Sequence, residues 1–308
     1  MTAAQDFLAA IKAGNIAEVT RRLDVEPALV NARDEQGLSA VLTAAYYQEP
    51  GIARLLVQRG AELSVFEACT VGELPRVKAL VEQQPDSINA YAPDGFQPLG
   101  LAAFFGQTGI VEFLLSKGAE VNSPSRNAMR VMPLHSAIAN KQTEIARRLL
   151  DHGADVDATQ ADDFTPLHEA AQNGLLDVTQ WLLERGANVN PRLSSSGKTP
   201  LALAIEHQHG TVAQLLKQHG AVEFPHGISQ RRAHCITLPV LHQRTGVFEA
   251  GSSRQVCNRR RECRILNVVL LNVLGQRDHL HIPGPGLVKH RQVLPLDCDR
   301  AHEPGDKH

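Results

Sequence analysis

Four residues in the last third of the chain are of the types that bind zinc: Cys257, Cys263, His279 and His281. Thiolate sulfur and imidazole nitrogen are the usual ligands of this metal. The spacing of the four residues matches no common zinc finger, and the chain contains no Cys-x-x-Cys pair. The sequence therefore predicts no metal site, and nothing else in it predicts a cofactor.

Two further segments carry residue types that could bind phosphate. Arg254, Arg264 and the three arginines at 259–261 form a basic run, but no motif of a nucleic-acid-binding fold accompanies it. Residues 194–199 read Ser-Ser-Ser-Gly-Lys-Thr, which is similar to the end of a phosphate-binding loop but lacks its first glycine and the strand before it. We therefore expect a solvated basic run and a loop tip, and no nucleic-acid partner.

His135 and His168 are candidates for general acid–base chemistry, because an imidazole titrates near neutral pH. Each of them follows a Pro-Leu pair. Cys69 lies beside Ala68 on a predicted helix, and we expect it to be a small core residue rather than a reactive thiol. The role of the two histidines depends on the elements that hold them.

Those elements are clearest in residues 162–190. Thr165 followed by Pro166 is typical of a helix start, since the hydroxyl can cap a free N–H and proline fits the first helical position. Gly174 predicts the end of this helix, because glycine adopts the left-handed conformation without steric cost. A second helix with one apolar face follows and ends at Gly186. Helices this short are marginal by themselves, so they need neighbours of the same shape.

The sequence supplies such neighbours at a regular spacing. Pro-Leu pairs begin at positions 98, 133, 166 and 200, and Gly-Ala pairs begin at 118, 153, 186 and 220, so both landmarks advance by 35, 33 and 34 residues. Residues 165–171 read Thr-Pro-Leu-His-Glu-Ala-Ala, with close variants at 132–138 and 199–205. Over about the first three quarters of its length the chain thus resembles the ankyrin repeat family, of the bacterial type, whose signature is Thr-Pro-Leu-His-x-Ala with a period of about 33 residues.

The resemblance implies an all-α solenoid of about seven helix-turn-helix repeats in residues 1–224. It also implies that His135 and His168 brace their own turn and the next repeat by hydrogen bonding. In the seventh repeat Gln208 stands where the sixth has Gly174, so we expect the turn between its helices to shift to Gly210. The predicted repeats are 4–33, 34–63, 64–93, 94–126, 127–160, 161–194 and 195–224, with turn or hairpin tips at 31–37, 91–95, 122–132, 160–163 and 192–197.

Residues 225–308 have a different composition. They contain 13 lysines and arginines against 7 acidic residues, whereas the first 224 contain 18 against 26, and the repeat period does not continue. Two interpretations remain open: a small basic module, or a poorly ordered tail that is not a selected sequence, as after a change of reading frame. Composition favours the second. With no stretch of 18 apolar residues and no basic, apolar leader, we expect a cytoplasmic protein without membrane contact.

The remaining chemistry is that of a surface. In a stack of the type implied by the resemblance, the first helices line a concave face, and the sixth repeat directs Glu169, Gln172 and Asn173 towards it. Large aromatic residues at exposed positions are typical of binding hot spots. Mapped by phase, the corresponding positions are Thr43, Tyr46, Tyr47, Glu67, Thr70, Val71, Leu101, Phe104 and Phe105.

We therefore predict a non-catalytic module that binds another protein through the concave face and the hairpin tips. One alternative for the site is that Tyr47 and Phe105 pack sideways between neighbouring first helices. The alternative for the function is that the repeats are a targeting or scaffold arm for a metal- or nucleic-acid-binding module in 225–308. The partner and the oligomeric state are not predicted.

Overall fold

The computed structural model describes residues 2–223, and this part of the chain consists of helices joined by turns and loops, with one isolated β-bridge between Arg33 and Ser39 and no strand. The predicted all-α repeat fold is confirmed there. The expectations for residues 225–308, including the possible zinc ligands and the basic run, lie outside the described residues. The α-helices are α1 Ala3–Lys12, α2 Ile16–Val25, α3 Ala40–Tyr46, α4 Pro50–Gln58, α5 Val65–Val71, α6 Leu74–Gln83, α7 Pro98–Phe104, α8 Thr108–Ser116, α9 Pro133–Ala139, α10 Thr143–Asp151, α11 Pro166–Asn173, α12 Leu176–Glu184, α13 Pro200–Glu206 and α14 Gly210–Gln218.

The pair α11 and α12 shows how the local sequence builds one repeat. The side chain of Thr165 accepts a hydrogen bond from the backbone N–H of His168, and Pro166 occupies the first turn of α11. Gly174 ends the helix in the left-handed conformation with φ of 71°. The reversal continues with a hydrogen bond of 3.0 Å from the N–H of Leu175 to the carbonyl of Ala170. The predicted start and end of this helix are therefore confirmed.

The seven helix pairs stack in chain order. The odd-numbered helices form an inner layer in which each packs against the next, and the even-numbered helices form an outer layer. Small side chains such as those of Ala170 and Ala171, both 0% exposed, let the inner helices approach closely, while Leu167 and Leu182 fill the space between layers. The stack is therefore stabilised by burial of apolar surface shared between neighbours, as expected of a solenoid.

The buried side chains form two separate clusters. One contains residues of the first two helix pairs, from Phe7 to Leu56, and the other contains residues of the remaining five, from Val65 to Leu216. Tyr46 of α3 packs against the second cluster, and Val71 of α5 packs against the first. The boundary between the second and third repeats is therefore a distinct joint in the stack, crossed by few large side chains.

At the same joint one connection is unusually short. Between α4 and α5 only residues 59–64 connect the two helices, whereas the other pairs are joined by residues 26–39, 84–97, 117–132, 152–165 and 185–199. We call these five longer connections fingers. Neighbouring fingers are joined by backbone hydrogen bonds, for example from Arg126 to Gly95 at 2.8 Å and from Ala161 to Met129 at 2.9 Å. The third repeat has no finger. Its short connection ends at Ser64, which caps α5.

The predicted shift of the last inter-helix turn is wrong. Gln208 itself adopts the left-handed conformation with φ of 62°, and α14 begins at Gly210. Glycine is needed where a neighbouring side chain leaves no room for a Cβ, as at Gly174, whose Cβ would lie 2.5 Å from the His209 ring. Gln48 and Lys141 occupy the same turn in the second and fifth repeats with φ of 58° and 56°, so a left-handed residue other than glycine is accommodated at a backbone cost of about 1 to 2 kcal/mol.

Candidate functional site

The predicted surface positions differ widely in exposure. Thr43, Glu67, Thr70 and Leu101 are at most 3% exposed, so the expectation that they face solvent is wrong for these four. The reason is the close approach of neighbouring inner helices, which covers the middle of each helix. The half-buried members of the predicted set lie at the ends of the same helices: Tyr46, Tyr47, Val71, Phe104 and Phe105.

Two of the buried residues are satisfied locally. The Thr70 hydroxyl donates to the carbonyl of Phe66 at 2.9 Å. The Glu67 carboxylate accepts the backbone N–H of Ser64 at 3.1 Å in a capping box, and it lies 3.7 Å from the guanidinium of Arg33 in the first finger. These contacts are structural, since they fix the start of α5 in the repeat that has no finger.

Three aromatic rings meet near the C-terminal ends of α3 and α7. The rings of Phe104 and Phe105 are 5.1 Å apart in an edge-to-face arrangement, and the ring of Tyr46 is 5.7 Å from that of Phe105. Such pairs contribute roughly 0.5 to 1.5 kcal/mol beyond burial. Phe105 also packs against the second core cluster. We refer to Tyr46, Phe104 and Phe105 as the aromatic cluster.

The hydroxyl of Tyr46 forms a contact that sequence reasoning missed. It donates to the Asp94 carboxylate at 2.5 Å, linking α3 to the finger of the fourth repeat across the fingerless third. Burial, and then the nearby charge of Asp94, raise the pKa of Tyr46 well above its usual range, so the hydroxyl stays protonated and remains a donor. The one sequence signal was an Asp-Gly pair at a predicted tip, which indicates a turn but not this partner.

Tyr47 lies apart from the cluster. The ammonium group of Lys12 is 5.7 Å from its ring centroid, a cation–π distance. Partial burial, followed by the charge of Asp34, raises the pKa of Tyr47. Tyr47 therefore contacts the first repeat rather than packing with Phe105.

A cavity of about 250 Å³ opens beside the aromatic cluster, where the finger of the third repeat is missing. We call it the finger cavity. Asp94 is the only charged residue among the residues that line it. The lining consists of Gln36, Leu38, Tyr46, Pro93, Asp94, Phe96, Gly100, Leu101, Phe104, Asn127, Met129, Val131 and Ser136.

A wider cleft of about 770 Å³ lies on the other side of the cluster. It runs between α4 and the ends of α5 and α7, and Thr70, Val71, Phe104 and Phe105 are among its lining residues. Tyr46 and Phe104 border both spaces. The aromatic cluster thus separates a small apolar cavity from a more polar cleft. Six of the eight predicted binding residues, all except Thr43 and Tyr47, line one of these two spaces.

The corresponding positions of the sixth repeat are polar. Asn173 and Gln160 each donate a hydrogen bond of 3.3 Å to the Glu169 carboxylate. Burial raises the pKa of Glu169 to about 7, although both amides favour the charged form. The aromatic character of the inner face is therefore confined to the second and fourth repeats among the positions that we compared.

The two signature histidines are structural, as the resemblance implied, but only His168 braces both its own turn and the next finger, whereas His135 braces the next finger alone. A ring nitrogen of His168 lies 3.2 Å from the carbonyl of Lys198 in the next finger, and the other accepts the backbone N–H of Thr165 at 3.2 Å. His135 contacts the carbonyl of Phe164 in the same way at 3.2 Å. Burial lowers the pKa of both imidazoles to about 4, so they are neutral and poorly suited to acid–base chemistry near pH 7.

The other candidates for chemistry among residues 2–223 are also structural. Cys69 is fully buried, and burial raises the pKa of its thiol. At the tip 194–199 the hydroxyls of Ser194 and Ser195 donate to the carboxylates of Asp163 and Asp162, both at 2.6 Å. Carboxylates at this position would repel a phosphate group, and the segment is a finger tip as predicted. Within the described residues no group of histidine, cysteine and acidic side chains is arranged to hold a metal ion.

Comparison with known proteins shows the family. A model of three ankyrin repeats matches residues 7–125, 65–160 and 134–224, so the chain belongs to the ankyrin repeat family. Members of this family generally act as non-enzymatic modules in protein–protein interactions. In residues 2–223 no helix is long and apolar enough to cross a membrane.

Three relatives illustrate how the repeats are distributed. The ankyrin repeat protein YahD of Escherichia coli is 29% identical over 231 residues, which is 70% of this chain and 96% of YahD. Alpha-latrocrustotoxin-Lt1a of Latrodectus tredecimguttatus is 29% identical over 132 residues, 38% of this chain and 9% of the toxin. Ankyrin repeat and SAM domain-containing protein 6 of Rattus norvegicus is 34% identical over 92 residues, 30% of this chain and 10% of the relative. The chain therefore spans about a tenth of two of these relatives and nearly all of the third.

Proposed function

We propose that this protein binds another protein through the inner face of its stack and the adjoining finger tips, with the aromatic cluster at the centre of the contact. Tyr46, Phe104 and Phe105 are half-buried, contact one another and border two open spaces. This grouping is the observation that supports the proposal, because aromatic residues surrounded by partly desolvated space are enriched in binding hot spots. Tyr47 and Val71 lie at the edge of the same surface.

The proposal includes no catalysis and no cofactor. The groups in the described residues with shifted pKa values include a neutral histidine pair, a buried thiol and Glu169, and each of these is engaged in packing or in hydrogen bonds of the repeats. We place the protein in the cytoplasm, where it would act as a scaffold for its partner. The alternative of a targeting arm for a module in 225–308 concerns residues outside the described part of the chain.

Quantitative capture with full-length variants tests the proposal. The baits are the unaltered chain, Phe104→Ala, and Phe113→Ala as a matched control. Phe113 lies on the outer helix α8, where its ring is about equally near Lys78 and Lys117. Truncating a hot-spot aromatic typically costs about 2 kcal/mol or more, roughly thirtyfold in affinity.

We expect proteins that the unaltered chain and Phe113→Ala both capture to be lost with Phe104→Ala. Circular dichroism must show the same helicity for all three baits. Loss of capture with Phe113→Ala instead would place the contact on the outer layer. If both variants retain capture and only additional baits substituted at the tip 194–199 lose it, the contact lies on the fingers alone.

A further inference from the structure

The finger cavity exists because one repeat differs from its neighbours. Where a finger would stand between the first finger, at 26–39, and the next, at 84–97, the chain has only residues 59–64. The two flanking fingers approach each other above the gap, since a Cβ at Gly37 would lie 3.7 Å from Pro93. The result is a partly enclosed cavity, with Leu101 and Ser136 of the inner helices among its lining residues.

The cavity combines apolar walls with one negative charge. Tyr46, Phe96 and Phe104 supply aromatic rings, and Leu38 is one of several aliphatic side chains around them. The Asp94 carboxylate accepts hydrogen bonds from the Tyr46 hydroxyl and, at 3.1 Å, from the backbone N–H of Phe96. Neither donor carries a charge. A carboxylate has about four lone-pair sites, so two bonds leave it able to accept more.

No cation of the described chain lines the cavity. Arg126 of the following finger stacks over the Tyr91 ring at 3.9 Å instead, and Arg33 of the first finger lies beside Glu67. A half-buried carboxylate among aromatic rings attracts a positive charge more strongly than an exposed one does, because the surroundings screen it less. Aromatic faces favour the same kind of ligand through cation–π attraction.

The size of the cavity also limits the ligand. At about 250 Å³ it is smaller than the roughly 300 to 1,000 Å³ of pockets for drug-sized molecules, so it suits a single side chain. Arginine fits the combination best, since its guanidinium is weakly hydrated, stacks on aromatic rings and binds carboxylates with two N–H groups.

We propose that the finger cavity receives one arginine side chain from the partner protein, with the guanidinium on Asp94 and the stem between Tyr46, Phe96 and Phe104. This inference rests on the proposed function and adds to it the chemistry of the bound segment. Phe104 borders both the finger cavity and the wider cleft, whereas Asp94 borders only the finger cavity. That difference allows the two proposals to be tested separately.

The probe is a library of random twelve-residue peptides displayed on phage and selected against the full-length chain. Enriched peptides are then synthesised, and their affinities are measured for the unaltered chain and for Asp94→Asn, Phe104→Ala and Glu35→Gln. Glu35→Gln is the matched charge control, because Glu35 is an exposed residue of the first finger and does not line the cavity. A second peptide series replaces each arginine by citrulline, which keeps the shape and removes the charge.

We expect the enriched peptides to share an arginine. Asp94→Asn should weaken them at least about tenfold, and Glu35→Gln less than about threefold. Replacing the shared arginine by citrulline should weaken binding to the unaltered chain but change little with Asp94→Asn. This coupling would not arise from a merely structural role of Asp94.

Other results overturn the inference in distinguishable ways. If the affinity of the peptides is unchanged by Asp94→Asn but lowered by Phe104→Ala, the proposed function is retained and the arginine site is rejected. Peptides insensitive to both substitutions, or no enriched peptide at all, would count against both. A photo-reactive benzoylphenylalanine can also be placed at position 129, which lines the cavity. A cross-link from this position to residues 224–308 of the same chain, or to a second copy, would show a different occupant and overturn the arginine site.

Discussion

The third and sixth repeats have the same pair of helices, and both inner helices end at a left-handed glycine, but the two repeats differ at the start of the inner helix. In the sixth, a finger leads to Thr165, and the Thr-Pro-Leu-His signature fixes the helix start and the next finger at once. In the third, residues 59–63 lead to Ser64, and a capping box with Glu67 fixes the helix start but not the next finger. A repeat without a finger therefore keeps its helices but loses its link to the neighbouring finger, and a cavity forms where the finger is missing.

The largest expected effect concerns the packing that both repeats share. Leu167 is completely buried at the start of α11, so Leu167→Ala should lower the free energy of unfolding by about 2 to 5 kcal/mol through lost burial and an unfilled cavity. Urea denaturation followed by circular dichroism measures the change. Ile205→Ala, at a site 48% exposed, is the control and should remain within about 0.5 kcal/mol. Equal effects would mean that the inner layer is not the stabilising core.

Acid should distinguish the two regions of the stack. His135 and His168 have folded-state pKa values of about 4, below the ordinary value of 6.5. Between those limits the unfolded chain binds protons that the folded chain does not, so their contribution to stability is complete above pH 6.5 and is lost as the pH falls towards 4. The slope reaches at most about 1.4 kcal/mol per pH unit for each histidine.

Glu169 acts in the opposite direction. Its folded-state pKa of about 7 lies above the ordinary 4.5, so its contribution is complete below pH 4.5 and is lost as the pH rises to 7. Glu169→Gln should therefore steepen the acid dependence. Residues 1–134 contain no histidine, and hydrogen exchange at pH 5 should increase in α9 to α14 before it increases in α1 to α6. Uniform exchange along the stack would contradict this prediction.

Tyr46→Phe tests the link that crosses the fingerless repeat. The substitution keeps the ring beside Phe105 and removes the donor to Asp94, so we expect a loss of roughly 1.5 to 3 kcal/mol, the usual range for a hydrogen bond to a charged group. The joint between the two core clusters should loosen, which broadens the thermal transition. Tyr47→Phe is the control, since Tyr47 does not contact Asp94 in the described hydrogen bonds. An unchanged melting temperature would show that the Tyr46 hydroxyl contributes nothing.

A smaller, stabilising effect is expected from restoring the signature in the fifth repeat. Met132 stands where the sixth repeat has Thr165, and one ring nitrogen of His135 is buried with no hydrogen-bond partner in the described structure. Met132→Thr should supply that partner and an N-cap, and stabilise the fold by about 1 kcal/mol. The reverse change, Thr165→Met, should destabilise it by a similar amount. If Met132→Thr lowers the urea midpoint, lost packing of the methionine outweighs the cap.

The aromatic cluster shows where reasoning from the sequence reaches its limit. Phase within the repeat placed Tyr46, Phe104 and Phe105 on the inner face, and the structure places them there in mutual contact. The same phase put Thr70 and Leu101 in solvent, where they are not. The position of a residue within the repeat predicts which side of the helix its side chain lies on, but the exposure of that side chain also depends on how closely the next helix approaches. That distance is set by side chains about 33 residues away.

The sequence by itself determined the class of fold and the start and end of α11, because a cap, a proline and a left-handed glycine act through residues only a few positions apart. The structural role of the signature histidines followed from the resemblance to the ankyrin repeat family. Only the tertiary structure showed that the turn between α13 and α14 remains at Gln208, that the Tyr46 hydroxyl donates to Asp94, and that a cavity lies where the third repeat has no finger. The Tyr46–Asp94 contact and the cavity depend on contacts between repeats, since stacking brings together residues that no local pattern pairs.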